Sequence, residues 1–271
     1  MNENVNIPNE VNSLLLDYTN LLEAELSDVI YGVYLYGSIA LSAFDERKSD
    51  VDFITILKRS LTNTELDRLS KLHQKVKKMN PLAEKLDGMY ICLADIGKEN
   101  NDLQPYPCCA SGTFKKSQYW DINHVTWWTL KHHGISVIGV NLDELKIPTI
   151  WCDVEKTMSY NVNKYWANKA KIGWYFLLDD GVEDAVLTTC RIYCSLKYKK
   201  IIPKEKAVEY ALQTLPNKWN LLFKEALRLR HDDHTSSFFS SRWKRAKETK
   251  KFLLYMINDC NVKYINNKVK Q

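Results

Sequence analysis

One stretch constrains this chain more than any other. Residues 29–36 are rich in β-branched and aromatic side chains and read as a strand. They end at Gly37-Ser38, and after a spacer of eleven residues, 39–49, the run Asp50-Val51-Asp52 leads into a second apolar strand over 51–57. Side chains alternate along a strand, so Asp50 and Asp52 are expected on one face, with Cα atoms about 6.5–7 Å apart. Two carboxylates so placed repel each other unless positive charge lies between them. Mg²⁺ meets that need, because it prefers carboxylate oxygens together with substrate phosphates. A pair of such ions can stabilise both the attacking and the leaving oxygen of an in-line phosphoryl displacement. Gly37 permits close backbone approach at a sharp turn, where exposed N–H groups can cradle phosphate oxygens. Ser38 and Ser49 add hydroxyl donors. Gly-Ser or Asp-x-Asp alone occurs in many surface turns, and a solvated loop with edge-strand aspartates is the plainer alternative; the ordered combination is the specific signal.

The surrounding pattern gives an architecture. Residues 9–27 place apolar side chains at helical spacing, as do 62–78, and residues 88–93 read as a third strand. After Pro148 the β-rich runs end, and segments 153–171, 183–198, 203–213, 217–230 and 240–258 all read as helices. The expected fold class is α+β: a mixed-sheet domain over 1–150, followed by an α-helical domain over 151–271.

Composition narrows the function classes. The chain has 271 residues, 45% hydrophobic and 26% charged, which is ordinary for a water-soluble globular protein. No apolar run approaches the ~20 residues needed to span a bilayer. The first residues lack a basic patch followed by an apolar core, so no secretory signal is expected and the cytoplasm is the expected location. Seven cysteines, none in a C-x-x-C pair, support neither a disulfide framework nor a zinc site. Cys190 and Cys194, four apart on a helix, read as small buried hydrophobes. The net charge of +5 tolerates a phosphate-bearing ligand without demanding nucleic acid. The basic residues around Arg242, Lys244 and Arg245 read as a solvated helix face.

The Gly37-Ser38 and Asp50-Val51-Asp52 arrangement resembles the polymerase-β nucleotidyltransferase superfamily. More narrowly, the chain resembles the aminoglycoside adenylyltransferases that modify spectinomycin and streptomycin. Residues 186–193, 202–207 and 211–216 are similar to that family's C-terminal pattern. The resemblance implies ATP as co-substrate, Mg²⁺ (two ions) as cofactor, and an aminoglycoside-type acceptor lying between the domains, in a monomer with no membrane or nucleic-acid partner. It implies a third carboxylate at the start of the third strand, acting as catalytic base and metal ligand with Asp50 and Asp52. Asp87 matches that place, with Asp where the family has Glu; Glu84 is the competing candidate. Lys204 matches a lysine that contacts the nucleotide phosphates, and Arg191 an arginine on the preceding helix. Lys204 stands just past Pro203 at a helix start, where its charge opposes the helix dipole and so needs a reason. Asn123, in Asp121-Ile122-Asn123, falls where the family has a second aspartate that contacts ATP.

Several features stay open between two readings. The acidic run from Asp179 to Asp184 suits a cationic acceptor, and equally the first turn of a helix. Trp120, Trp127 and Trp128 invite sugar stacking, although aromatics at helical spacing usually pack in a core. His132-His133 and the histidines at 231 and 234 lack partners at metal-ligand spacing. Two other functions remain: transfer of AMP to a protein or RNA partner, and a catalytically inactive nucleotide-binding regulator.

Overall fold

The computed structural model describes residues 7–266. The opening residues, expected to carry no secretory signal, lie outside that range. The described chain divides into two compact units between Ile150 and Trp151. The first is mixed α and β and the second helical, so the fold class is α+β as expected.

In the first unit the order is α1 (Asn9–Leu26), β1 (Ile30–Leu35), α2 (Gly37–Ala40), β2 (Val51–Leu57), α3 (Asn63–Met79), β3 (Leu86–Cys92), β4 (Tyr106–Ala110), β5 (Thr113–Gln118), α4 (His124–His133) and β6 (Ile135–Gly139). The six strands form one sheet in the order β5-β4-β3-β2-β1-β6. All neighbours are antiparallel except β2 and β3, which run parallel. A parallel pair needs a crossover of a dozen or more residues, and α3 supplies it. Thr62 and Glu65 form a reciprocal capping box that starts α3. β4, β5, β6 and α4 were not delineated by the sequence patterns.

The two faces of the sheet carry separate cores. Val51, Phe53, Leu86 and Tyr90 pack with the apolar stripes of α1 and α3 (Leu14, Tyr18, Leu22, Leu69, Leu72, Val76). Ile54, Ile56, Met89 and Ile91 pack on the other face with Trp127 and Leu130 of α4. A polar chain is buried in the first core. His73 Nε2 lies 2.6 Å from the Tyr90 hydroxyl, which lies 2.7 Å from that of Tyr18, itself 3.1 Å from Thr55 Oγ1. Burial drives the His73 pKa down to about 3, so the imidazole stays neutral.

The second unit contains α5 (Trp151–Tyr160), continued by a π-helical turn (Asn161–Trp166) into α6 (Ala167–Lys169), then α7 (Asp179–Tyr198), α8 (Lys204–Thr214), α9 (Asn220–Arg230) and α10 (Arg242–Cys260). Cys190 and Cys194 are buried, in keeping with the apolar reading of their helix. Glu225 is wholly buried and held by charge: Arg228 Nη2 donates to it at 2.9 Å, Arg245 Nη1 at 3.1 Å, the Ser237 hydroxyl at 2.8 Å and the Phe238 N–H at 3.0 Å. Burial opposes ionisation, but these donors win and hold its pKa at about 2. Arg245 also pairs with Asp179 and is buried, so it does not belong to the solvated basic face expected from the sequence. No helix among the described residues is long and apolar enough to cross a membrane.

Candidate active site

The parallel pair places the acidic residues. Val51 pairs with Leu86 and Asp52 with Asp87, in register. Because Val51, Phe53, Leu86 and Tyr90 occupy the α1/α3 face, alternation turns Asp52 and Asp87 together to the other face. Directly paired residues on neighbouring strands lie about 5 Å apart, so the two carboxylates belong to one site. Asp50 stands one residue ahead of β2, not within it as the sequence alternation supposed. It is exposed, while Asp52 and Asp87 are half-buried.

The electrostatics show how closely these groups gather. Burial, then the carboxylates of Asp87, Asp50 and Asp121, push the Asp52 pKa well above the ordinary carboxylate range. The Ser38 backbone N–H acts against them. Burial also raises Asp87, with Asp50 adding to the effect, against hydrogen bonds from Trp120 and the Ser111 N–H. Tyr36, buried beside them, is raised by burial and then by Asp52, Asp121 and Asp87. Asp121 is thus a fourth acidic member that the sequence pattern did not nominate.

The turn after β1 completes the cradle. Tyr36 N–H donates to the Asp52 carbonyl at 3.1 Å, ending the strand beside the acid. Gly37 has φ +65°, and a Cβ there would overlap the Asp52 carboxylate, so glycine is required on both counts. The Ser38 hydroxyl is buried without a hydrogen-bond partner among the described residues. Such a group is costly unless something else satisfies it.

The other nominated residues fall as follows. The Ser49 hydroxyl accepts from Asp45 N–H at 3.0 Å and orders the turn before Asp50. Asn123 caps α4, accepting from the N–H groups of Val125 (2.9 Å) and Thr126 (3.2 Å), and donates to Asp121 Oδ1 at 3.0 Å. Glu84 is 68% exposed at its side chain and pairs with Lys77 at 3.2 Å. Trp127 is core, Trp128 packs on His132 at 4.0 Å between centroids, and Trp120 donates to Asp87.

In the helical unit, Lys204 is the first residue of α8, after Pro203. Its ammonium lies 3.9 Å from Asp184, whose carboxylate also accepts from Thr188 Oγ1 at 2.9 Å. Burial lowers the Lys204 pKa against the pull of Asp184, with Arg191 and Arg230 reinforcing the fall. Arg191, Lys204 and Arg230 therefore share one cationic neighbourhood. In the acidic run, Asp179 and Asp180 open α7, Glu183 pairs with Arg230 at 3.4 Å and Asp184 faces Lys204.

Carboxylate oxygens are hard donors suited to Mg²⁺. Among the described residues no three His, Cys, Asp or Glu groups could hold an ion by themselves. Mg²⁺ takes one or two carboxylates and completes its shell with waters and substrate phosphates. The unpartnered Ser38 hydroxyl and the backbone pressed against Asp52 fit the same group.

Two family patterns match the chain: the nucleotidyltransferase domain over residues 20–87, and the aminoglycoside adenylyltransferase C-terminal domain over residues 169–259. No curated protein matches it. Among solved structures, the spectinomycin adenyltransferase AAD(9) from Enterococcus faecialis, crystallised with ATP and spectinomycin, is similar at TM-score 0.67 and 16% identity, over 91% of this chain and 99% of that one. A mutant of the toxin-antitoxin pair MntA-HpeT aligns at TM-score 0.31 and 15% identity, over 57% of this chain and 93% of that one. The chain thus carries a nucleotidyltransferase domain that contains the Gly-Ser turn and all three nominated carboxylates, followed by a region that matches the aminoglycoside adenylyltransferase C-terminal domain.

Proposed function

We propose that this protein transfers AMP from ATP to a hydroxyl of an aminoglycoside-type acceptor, spectinomycin or streptomycin, with release of pyrophosphate. The observation that carries the proposal is the in-register pairing of Asp52 with Asp87 beside Asp50 and the Gly37-Ser38 turn. Phosphoryl transfer is mostly positioning and charge neutralisation, and this cluster of acids has no use for its mutual repulsion unless a cation joins it. Asp50 and Asp52 would hold Mg²⁺, with the Asp87 carboxylate beside them. When bound, the metal supplies charge stabilisation for the attacking and leaving oxygens.

The remaining roles belong to the protein's own groups. The Ser38 hydroxyl and the N–H groups of its turn bind phosphate oxygens, with Ser49 ordering the loop that delivers Asp50. Asp87 accepts or steers the proton of the attacking hydroxyl. Lys204 and Arg191 form a cationic neighbourhood of the kind that neutralises phosphate charge, and Asn123 sets the start of α4 beside Asp121. The helical unit supplies acceptor specificity.

The test is incubation with labelled ATP, Mg²⁺ and a panel of aminoglycosides, in parallel with a cell lysate. A labelled small molecule with stoichiometric pyrophosphate supports the proposal. Label on protein or RNA instead selects a macromolecular acceptor, and ATP binding without any transfer selects a regulator.

A further inference from the structure

Asp87 is held at both of its carboxylate oxygens. The Trp120 indole N–H donates to Asp87 Oδ1 at 2.5 Å, and the Ser111 N–H reaches Oδ2 at 3.4 Å. Trp120 is itself fixed at both ends of its backbone. Its N–H donates to the Tyr106 hydroxyl at 2.9 Å, and its carbonyl accepts from Asn100 Nδ2 at 2.7 Å. The Tyr106 hydroxyl in turn donates to Asn100 Oδ1 at 2.8 Å. Asn100, Tyr106 and Trp120 thus form a closed frame, and the indole N–H is the group through which it reaches Asp87.

We infer that Trp120 is a positioning residue for the transfer reaction: its indole N–H, braced by Tyr106 and Asn100, sets the orientation of the Asp87 carboxylate toward the attacking hydroxyl. An aspartate has two side-chain torsions to fix, and each unfixed torsion spreads the carboxylate over positions that cannot take the proton. One short hydrogen bond from a rigid ring removes that freedom. A carboxylate has about four lone-pair sites, so the indole leaves the others for proton and metal. The inference rests on the function proposed above.

The experiment has a kinetic arm and a spectroscopic arm. Trp120→Phe keeps a ring and deletes the donor. Its kcat should fall about 10- to 100-fold, the scale of a misplaced catalytic group, with the KM for ATP within about twofold. Tyr106→Phe loosens the frame one step further away and should give a smaller fall of the same kind, with melting temperature near that of the parent. In the ¹⁵N spectrum, eight tryptophans give eight indole resonances; the one assigned to Trp120 should move in Asp87→Asn. A kcat within about twofold of the parent, a fall matched by a rise in KM, or an indole resonance indifferent to Asp87→Asn overturns the inference. If the parent protein transfers AMP to nothing, the proposed function fails, while the spectroscopic arm still decides whether Trp120 holds Asp87.

Discussion

Two acids, Glu225 in the helical unit and Asp52 in the mixed one, are treated in opposite ways. In the helical unit Glu225 is surrounded by donors, including two arginines, and held at a pKa of about 2. In the mixed unit Asp52 is half-buried among other carboxylates, and its pKa rises well above the usual range. The first arrangement completes itself and stabilises the fold. The second is incomplete without something positive, and it sits at a turn whose Ser38 hydroxyl is also unpartnered. Perturbed carboxylates that are not neutralised by the protein mark function; those that are neutralised mark structure.

Single substitutions can break this contrast. Asp52→Asn should lower transfer about a thousand-fold, the upper range for loss of one electrostatic group, while relieving repulsion and leaving the melting temperature at or above that of the parent. Pyrophosphate release and calorimetry measure the two outcomes. Glu225→Ala should do the reverse, costing about 3–5 kcal/mol of stability by stranding Arg245, as read from chemical denaturation. Lys204→Ala should reduce kcat/KM for ATP about 10- to 100-fold, the worth of one charge-assisted contact, with little effect on the melt.

Acid sharpens the comparison. His73 is depressed to about 3, so the unfolded chain binds more protons than the folded one below about 6.5, and stability falls progressively from there toward pH 3. Glu225, depressed to about 2, holds its contribution until pH drops below about 4.5 and loses it toward pH 2. The His73 loss in the mixed unit should therefore begin before the Glu225 loss in the helical one, partly offset by protonation of Asp52 and Asp87, whose raised pKa values act with the opposite sign, and His73→Phe should flatten it. Amide exchange resolved by unit decides it. The smallest effect belongs to Glu84→Ala, which removes an exposed ion pair with Lys77 and should change activity less than about twofold and stability by about 0.5 kcal/mol or less.

Much of this was legible in the chain itself. The helices at 9–26 and 63–79 and strands β1 to β3 follow clean apolar periodicities, and the helices after Pro148 do likewise. β4 and β5 were hidden for physical reasons. β4 carries Pro107, and β5 is an edge strand whose side chains are largely exposed, so no alternation betrays it. The Asp50–Asp52 pair was readable because its members are adjacent. Asp121 and Trp120 were not, because what joins them to the site is the tertiary approach of a loop before α4 to β2 and β3, and local spacing carries no trace of it. Asn123 drew attention by position, yet its side chain is committed to starting a helix.

The one parallel pairing in the sheet has a consequence for assembly. Asp52 and Asp87 meet only because β3 lies in register against β2 after the crossover through α3. A slip of one residue would turn Asp87 into the apolar layer and Leu86 toward the phosphates. A slipped form would lack the paired carboxylates, so on the proposed function magnesium-ATP should rescue a destabilised variant of this unit by mass action, drawing the chain toward the register seen here.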